Sequence, residues 1–267
     1  MSSILRGVSF PFLEHDGPIA MAHRGGARHP DNIGYENSMK AFAHAVGLGY
    51  RYLETDVHAT SDGVVVAFHD SSLDRVTDRT GRIADLHWSE VSKARINGHE
   101  PIPLLSDVLE RWPDVRLNLD VKKANGVQPL AGLLRRMGAI ERVCVSSFSQ
   151  RRVWAIRKLL GPRLCTGFGA WEIAALKFAP WPVLLPNAGA CLQVPERLGP
   201  VPVLSRRLTR RAHALGRQVH AWTVDDPATM RRLLDAGVDG LITDRTDLLR
   251  DVLVERGQWV TSNGASA

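Results

Sequence analysis

Two histidines and two carboxylates fall where strand-like segments of the sequence end. His23 closes the apolar run IAMAH and precedes Arg24, while His69 follows the β-rich run VVVAF. Glu54 and Asp56 are two residues apart in LETDV, so both carboxylates project from one face of a strand. Imidazoles change charge near neutral pH and transfer protons, and carboxylates bind hard cations. These residue types together predict acid–base chemistry beside a bound cation.

A hairpin is predicted between the strand that carries Asp56 and the run that leads to His69. The dipeptide Asp62-Gly63 is typical of a two-residue turn. Asp56 lies six residues before Asp62 and His69 six after Gly63, so an antiparallel hairpin would place them opposite each other. We interpret this hairpin as part of an active site. The alternative is a surface hairpin with ordinary polar side chains. That alternative does not explain why His23 and Arg24 also stand at the end of a buried strand.

A third carboxylate, Asp120, stands two residues before Lys122 in LNLDVK. Together with Glu54 and Asp56 it forms an all-oxygen ligand set, which suits Mg²⁺ or Ca²⁺ better than zinc. Three close carboxylates repel one another unless a cation neutralises them, which favours a metal site. The alternative is a structural ion pair of Asp120 with Lys122 or Arg24.

Positive charge at the same strand ends indicates a phosphorylated substrate. Arginine suits bidentate contact with phosphate, and lysine supplies a point charge, so Arg24 and Lys122 are the expected phosphate contacts. With His23 and His69 as acid and base, the set predicts phosphoryl transfer. Trp222, at another strand end, either packs in the core or forms an apolar wall for an alcohol group.

The elements that must position these residues alternate regularly between strand and helix. Eight β-rich runs, each followed by an amphipathic segment, predict an α/β fold of the (β/α)₈ TIM barrel type, with functional residues at the carboxyl ends of the strands. An open doubly wound sheet is the alternative, but HRGGAR lacks the G-x-G-x-x-G spacing. The predicted strands are 19–23, 51–57, 116–122, 142–148, 163–169, 190–195, 218–224 and 240–244.

The same pattern predicts one barrel domain over residues 19–256, with a small insertion after the second strand at about 71–115. Residues 1–18 are expected to form an irregular N-terminal arm, and residues 257–267 a flexible tail. No window has the length and apolarity of a membrane span and no secretory signal is apparent, so we expect a cytoplasmic protein without stable membrane insertion.

Charge and cysteine content narrow the expected partners of this 267-residue chain, whose net charge is +6. Arginine pairs in helix-like segments are interpreted as solvated faces, with attraction for anionic substrates or membrane surfaces as the alternative. No basic run with interleaved aromatic residues occurs, so we expect no nucleic-acid partner. The three cysteines and His220 lie in apolar strand-like runs and are interpreted as core residues in a reducing compartment. Oligomeric state is not predictable from these features.

The motifs AHRGG, YENS, LETDV, DGVVVAFHD, LNLDVK, AWTVDD and DGLITDRTD occur in an order and spacing that resembles the glycerophosphodiester phosphodiesterases, from Ile19 to Leu249. The resemblance implies a metal-dependent barrel that hydrolyses glycerophosphodiesters to sn-glycerol 3-phosphate and an alcohol. It also implies a cyclic phosphate intermediate as a hypothesis, as in related phospholipases. The residue roles that it implies are His23 and His69 as catalytic acid and base, Arg24 and Lys122 at the phosphate, Glu36 and Asn37 on the substrate side or orienting it, and Glu54, Asp56 and Asp120 as ligands of one divalent cation, Mg²⁺ or Ca²⁺.

The sequence departs from the family pattern at two places. Asp120 stands where the family has glutamate, one methylene longer, and the segment Gly34–Ser38 replaces a proline-glutamate-asparagine-threonine motif after a longer loop. A lysophospholipase D-type activity on lipid substrates is the nearest alternative, and residues 171–185 (WEIAALKFAPWPVLL) would then line a groove for the acyl chain. A non-catalytic barrel that binds phosphorylated ligands is the other alternative.

Overall fold

Eight parallel strands form a barrel in the computed structural model, which describes residues 10–180, 185 and 188–260. Their hydrogen-bonded order is β5-β4-β3-β2-β1-β8-β7-β6, and a single bridge from Gly167 to Cys191 joins β5 to β6. The strands are β1 Ile19–His23, β2 Tyr52–Ala59, β3 Arg116–Val121, β4 Val143–Ser146, β5 Cys165–Thr166, β6 Cys191–Pro195, β7 Gln218–Trp222 and β8 Gly240–Thr243. The predicted (β/α)₈ fold is therefore confirmed.

Helices cover the outside of the barrel and bury their apolar faces against the strands. Side-chain caps fix where some of them begin: Ser38 accepts a hydrogen bond from the Ala41 amide, and Asp226 accepts one from Thr229. The helices in the described part of the chain are Met39–Gly47, Trp88–Val91, Leu105–Arg111, Val127–Arg136, Gln150–Leu160, Ala170–Phe178, Arg206–Ala214, Pro227–Asp235 and Thr246–Glu255. None of them is both long and apolar enough to cross a membrane.

The amino-terminal end of the barrel is closed by part of the predicted N-terminal arm. Pro11–Leu13 form a 3₁₀ turn, and Phe12 is fully buried with its ring edge-to-face against Tyr52 at 5.3 Å. The Tyr52 hydroxyl donates to the Phe12 carbonyl at 2.9 Å, which satisfies a polar group inside the apolar end of the barrel. Residues 1–9 of the predicted arm lie outside the described residues.

The predicted insertion proves shorter than 71–115. Helix Leu105–Arg111 buries Leu105, Val108 and Leu109 in the main core between sheet and helices, so it is the barrel's own second helix. The residues before this helix form a separate small core around Ile83 and Ile96. A short antiparallel ribbon, in which Arg95–Ile96 pair with Glu100–Pro101, belongs to the same segment. The prediction placed the boundary too late because the segment has no strong periodicity until this helix.

The predicted register of the hairpin is wrong by one residue. Val57 pairs with Ala67, and the Phe68 amide donates to the Asp56 carbonyl at 2.9 Å, so Phe68 rather than His69 lies opposite Asp56. The reason is a three-residue loop, in which Gly63 adopts a φ of +83°, in place of the two-residue turn.

The predicted flexible tail begins with a packed residue. Trp259 is 5% exposed, and its ring lies 5.1 Å from that of Tyr50, which sits just before β2. The apolar indole fills space between the last helix and the barrel. The spacing of apolar residues in the sequence did not predict this packing. Residues 261–267 lie outside the described residues.

We expect Trp259→Ala to lower the free energy of unfolding by about 3–5 kcal/mol, because it empties a buried site of indole size. Trp154, which is 50% exposed, supplies the matched control: Trp154→Ala should cost less than about 1 kcal/mol. Urea unfolding followed by circular dichroism measures both. Equal losses in the two variants would mean that Trp259 does not anchor the chain end.

Candidate active site

A cleft of about 510 Å³ opens at the carboxyl ends of the barrel strands. The barrel fold brings strand-end residues from distant parts of the chain together there. Most of the predicted site residues line this cleft, together with apolar side chains. The sequence-predicted residues that line it are His23, Arg24, Glu54, Asp56, His69, Asp120, Lys122 and Trp222.

His23, the last residue of β1, is anchored by an aspartate. Its Nδ1 lies 2.7 Å from Oδ1 of Asp244, which follows β8, and its Nε2 lies 3.7 Å from Oε2 of Glu54. Burial disfavours the charged imidazole, but Glu54 and Asp244 outweigh this effect and raise the pKa of His23. The aspartate fixes the ring orientation and leaves Nε2 on the cleft side.

His69 has a similar arrangement at the end of the hairpin. Its Nδ1 lies 2.6 Å from Oδ1 of Asp70, and the other oxygen of Asp70 accepts a hydrogen bond from Arg75 Nε at 2.5 Å. The His69 carbonyl lies 3.1 Å from Nε2 of His58 in β2, which ties the hairpin end to the barrel. Two imidazoles on one cleft are thus each held at Nδ1 by a carboxylate.

Arg24 adopts the left-handed backbone conformation, with φ of +50°. Non-glycine residues rarely do so, and here flanking hydrogen bonds hold the turn: the Arg24 amide donates to Glu54 Oε2 at 3.2 Å, and the Asn37 amide donates to the Arg24 carbonyl at 3.0 Å. The guanidinium lies between two acids, with Nε 3.2 Å from Asp56 Oδ2 and Nη1 3.3 Å from Glu36 Oε1. The turn therefore directs a cation into the cleft.

Asp56 is the carboxylate with the most partners in the cleft. Lys122 Nζ lies 2.7 Å from its Oδ1, Asn37 Nδ2 donates to its Oδ2 at 2.9 Å, and Arg24 pairs with the same oxygen. Burial alone would raise its pKa, but Lys122 and Arg24 outweigh burial and hold the pKa of Asp56 below its usual range. Asp56 is thus ionised throughout the neutral range.

Glu54 and Asp120 are less well compensated. Burial, followed by the charge of Asp56, raises the pKa of Glu54 to about 7. Burial also raises the pKa of Asp120, although Lys122 Nζ lies 2.6 Å from its Oδ2. The other oxygen, Oδ1, is buried without a hydrogen-bond partner. This part of the cleft therefore carries more negative charge and more acceptor atoms than the protein itself satisfies.

The three predicted metal ligands face one cleft without gathering tightly. Among the residues that the structure describes, only two groups of three ligand atoms lie within 4.8 Å of one another, and this set is neither of them. The Lys122 ammonium stands between Asp56 and Asp120 and bridges both. The ion pair of Asp120 with Lys122, predicted as the alternative to a metal site, is therefore present.

Family assignment rests on the sequence model of the Glycerophosphoryl diester phosphodiesterase family, which matches residues 23–248. The chain belongs to this family. The match runs from the last residue of β1 into the last helix and includes both histidine segments, which makes the protein a phosphodiesterase.

Relatives of this phosphodiesterase are found among curated proteins and solved structures. It is 44% identical over 261 residues to the probable glycerophosphodiester phosphodiesterase 2 of Mycobacterium tuberculosis, covering 93% of this chain and 95% of the relative. It is 28% identical to human lysophospholipase D GDPD1, covering 87% of this chain and 85% of the relative. An Oleispira antarctica phosphodiesterase in complex with the product sn-glycerol-3-phosphate has the same fold, with a TM-score of 0.73 at 22% identity, covering 89% of this chain and 97% of that one.

Glu36 and Asn37 are predicted to contact the substrate or to have an orienting role, and neither lines the cleft of this phosphodiesterase. Asn37 is 1% exposed, and its amide is used by Asp56 and by the Thr55 hydroxyl. Glu36 pairs with Arg24 and with Arg75 at 2.6 Å. Both residues lie behind the cleft and position the residues that line it.

Trp222 forms a wall of the cleft. Its ring packs edge-to-face on Phe148, with centroids 5.6 Å apart, and Phe148 is 70% exposed at the rim. Trp222 also packs against the apolar cluster inside the barrel, so its position fits both of the roles predicted for it.

Sequence reasoning missed several residues that organise the site. Asp244 and Asp70 hold the two histidines, and Arg75 joins Asp70 to Glu36. Asp70 was detectable as the neighbour of His69, and Asp244 as a strand-end residue. Arg75 had no sequence signal, because it lies in the insertion.

The raised pKa of Glu54 predicts a pH-dependent stability in buffer with a chelator. A carboxyl whose pKa is about 7 when folded and about 4.5 when unfolded stabilises the fold fully below pH 4.5, and this stabilisation is lost as pH rises through 7. Glu54→Gln should therefore match wild type at low pH and exceed its free energy of unfolding by on the order of 2 kcal/mol at pH 8. Urea unfolding at several pH values measures the difference.

Glu255, a 62%-exposed carboxylate, supplies the control substitution Glu255→Gln, whose effect should not change with pH. Parallel stability curves for wild type and Glu54→Gln would show that Glu54 ionises normally.

Proposed function

We propose that this protein hydrolyses glycerophosphodiesters to sn-glycerol 3-phosphate and an alcohol, with His23 and His69 as the acid–base pair. The observation that carries the proposal is the pair of imidazoles, each held at Nδ1 by an aspartate, on a cleft that also presents Arg24 and Lys122. Such an anchor sets the tautomer and leaves Nε2 to exchange a proton with substrate. The name of the relative at 44% identity supports the same substrate class.

The proposed steps use only groups that line the cleft. Arg24 and Lys122 bind the phosphodiester oxygens, and their charge opposes the negative charge that develops during attack at phosphorus. One imidazole takes the proton of the attacking hydroxyl, and the other gives a proton to the alcohol that leaves. If the attacking hydroxyl belongs to the glycerol itself, the first product is a cyclic phosphate that water then opens.

A divalent cation, Mg²⁺ or Ca²⁺, is proposed as the cofactor, held by Glu54, Asp56 and Asp120. The fit rests on the unpartnered Oδ1 of Asp120 and on the raised pKa of Glu54, which together indicate uncompensated acceptors. All candidate ligands are oxygens, which these hard cations prefer. When bound, the cation supplies Lewis-acid polarisation of a phosphoryl oxygen. Asp120 reaches one methylene less far than glutamate, so a water molecule is expected to complete its contact.

The first experiment is hydrolysis of glycerophosphocholine and glycerophosphoethanolamine by chelator-treated protein, with Mg²⁺ or Ca²⁺ added back. Release of glycerol 3-phosphate that depends on the cation supports both the substrate and the cofactor. Turnover unaffected by chelator contradicts the cofactor alone. An analogue without the glycerol hydroxyl beside the phosphoester tests the cyclic intermediate, which its ready turnover would contradict.

A second candidate function, lysophospholipase D-type hydrolysis, is favoured by the apolar side of the cleft. Aliphatic and aromatic side chains cover this side, and Phe148 stands exposed at its rim. An acyl chain needs such a wall. In the described part of the chain, the apolar lining residues are Phe148, Phe168, Ala170, Ile173, Val194, Pro195, Leu198, Val203, Trp222 and Ile242. Residues 181–184 of the predicted acyl groove lie outside the described residues.

Lysophosphatidylcholine distinguishes the two candidates when compared with glycerophosphocholine under the same conditions. A lipid-specific site predicts that Phe148→Ala lowers kcat/KM for the lysolipid more than for glycerophosphocholine. Equal effects on both substrates would restrict the proposal to water-soluble diesters.

A further inference from the structure

Beneath the cleft, four consecutive barrel strands each direct a soft or nitrogen ligand into the barrel interior. Cys144 lies in β4, Cys165 in β5, Cys191 in β6 and His220 in β7. All four residues are at most 1% exposed. The cysteines are all those that the chain contains, and the structure shows them as free thiols. The phosphodiesterase chemistry proposed above uses none of these groups.

The spacing of the thiols matches that of a thiolate metal site. The three sulfur atoms all lie within 4.8 Å of one another, and Sγ of Cys144 is 3.8 Å from Sγ of Cys191. Thiolates bound tetrahedrally to Zn²⁺ at about 2.3 Å lie roughly 3.8 Å apart. Burial raises the pKa of the Cys144 and Cys165 thiols, whereas their contacts with Cys191 lower the pKa of that third thiol.

His220 presents a buried lone pair without a partner. The side-chain amide of Gln218 donates to the Leu13 carbonyl at 3.0 Å, so its Oε1 faces Nε2 of His220 at 3.1 Å, and this nitrogen must carry the proton. The other ring nitrogen, Nδ1, is then unprotonated, and it is buried without a hydrogen-bond partner. Such outer contacts fix the tautomer of metal-binding histidines.

We propose that the barrel interior binds one Zn²⁺ through the thiolates of Cys144, Cys165 and Cys191 and through Nδ1 of His220. Three cysteines and one histidine are an established ligand set for structural zinc, in which no position stays open for substrate. Each thiol releases its proton to solvent as it binds, so the loaded site carries a net charge of −1. The charge of Arg217, which acts on Cys165, partly offsets it. His220 is not within 4.8 Å of all three sulfurs, so binding zinc would require Nδ1 to move closer to the sulfur cluster while Nε2 keeps its contact with Gln218 Oε1.

The zinc would strengthen the least hydrogen-bonded seam of the barrel. β5 is only two residues long, pairs with β4 at two positions and reaches β6 through the Gly167–Cys191 bridge. A metal bound to consecutive strands β4 to β7 links across this seam. The site therefore acts on barrel closure directly below the Asn118–Gln193 hydrogen bond that floors the cleft.

The test uses the whole chain, because the buried site is loaded during folding. The protein is produced in medium with zinc or with cobalt, dialysed against EDTA, and its metal content is measured per chain. We expect about one ion to be retained, and the cobalt form to show a sulfur-to-cobalt charge-transfer band. The oxygen ligands of the cleft cannot give this band, so the result does not depend on the cation proposed for hydrolysis. Metal content well below one ion per chain, or a retained ion without the band, overturns the proposal.

Variants identify the ligands. Cys165→Ala keeps the site small and apolar and should abolish the band, whereas His220→Ala should weaken retention of the ion during dialysis. Cys165→Ala that keeps the wild-type band contradicts the assignment. If the variants do not fold, the wild-type metal content and spectrum decide the question alone. The mass of the purified protein is also measured under denaturing conditions without reductant. A mass that shows two of the thiols joined in a disulfide would overturn the proposal.

Discussion

His23→Ala and His69→Ala are each expected to lower kcat for glycerophosphocholine by about 10²- to 10⁴-fold, with folded protein in both cases. Loss of a positioned proton donor or acceptor costs this much in acid–base catalysis. Each substitution leaves Asp244 or Asp70 without its imidazole partner, so a moderate loss of stability is expected as well. Steady-state release of glycerol 3-phosphate and thermal unfolding measure the two effects separately.

His99, an exposed histidine of the inserted segment, gives the control variant His99→Ala, which should retain wild-type kcat. The aspartate anchors allow a finer distinction. Asp244→Asn and Asp70→Asn should each reduce kcat less than removal of the imidazole that they hold and should shift its pH profile, because only ring orientation and tautomer change. If His69→Ala keeps wild-type kcat, His69 is not a proton-transfer group.

Asp56→Asn has the second large expected effect, because it acts on activity and stability together. Arg24 and Lys122 lose the charge that compensates them, and the new amide competes with the Asn37 amide for the same space. Removing one partner of a buried ion pair costs about 3–5 kcal/mol of unfolding free energy. We also expect kcat/KM to fall at least about 10²-fold, since both phosphate-contacting cations lose their position.

Urea unfolding and steady-state kinetics test Asp56→Asn. Asp235, whose side chain is 62% exposed in an ion pair with Arg256, supplies the control Asp235→Asn, which should cost no more than about 1 kcal/mol. A third measurement is the cation concentration that gives half-maximal activity. This concentration of Mg²⁺ or Ca²⁺ should be higher for Asp56→Asn than for wild type. An unchanged cation requirement would remove Asp56 from the proposed ligand set.

The sequence predicted those elements whose limits depend on local signals. Strand Ile19–His23 occurs with the predicted bounds, and the strands predicted over 190–195 and 240–244 differ from Cys191–Pro195 and Gly240–Thr243 by one residue each, because short apolar runs define them. The strand predicted over 163–169 consists of Cys165–Thr166 alone. The length of this strand depends on how many hydrogen bonds it forms with its two neighbouring strands. Those strands are distant in sequence, so the residues of the segment itself do not determine its length.

The candidate site was predicted in composition and only partly in geometry. Strand ends collect in one place in a barrel, so His23, Glu54 and Asp120 could be expected together. The pairing of His69 with Asp56 failed because one extra loop residue shifts every facing pair in a hairpin. The anchors Asp244 and Asp70 depend on side-chain directions that only the assembled barrel determines.

Arg75 connects the inserted segment to the active site, which matters when this segment is exchanged between related enzymes. Its guanidinium contacts both Asp70, which holds His69, and Glu36, which holds Arg24. An exchange of this segment between family members would therefore transplant one support of the reaction along with the surface loop. Chimaeras that lack an arginine at this position should retain their substrate preference while losing turnover, so loop grafts are best screened with Arg75 kept in place.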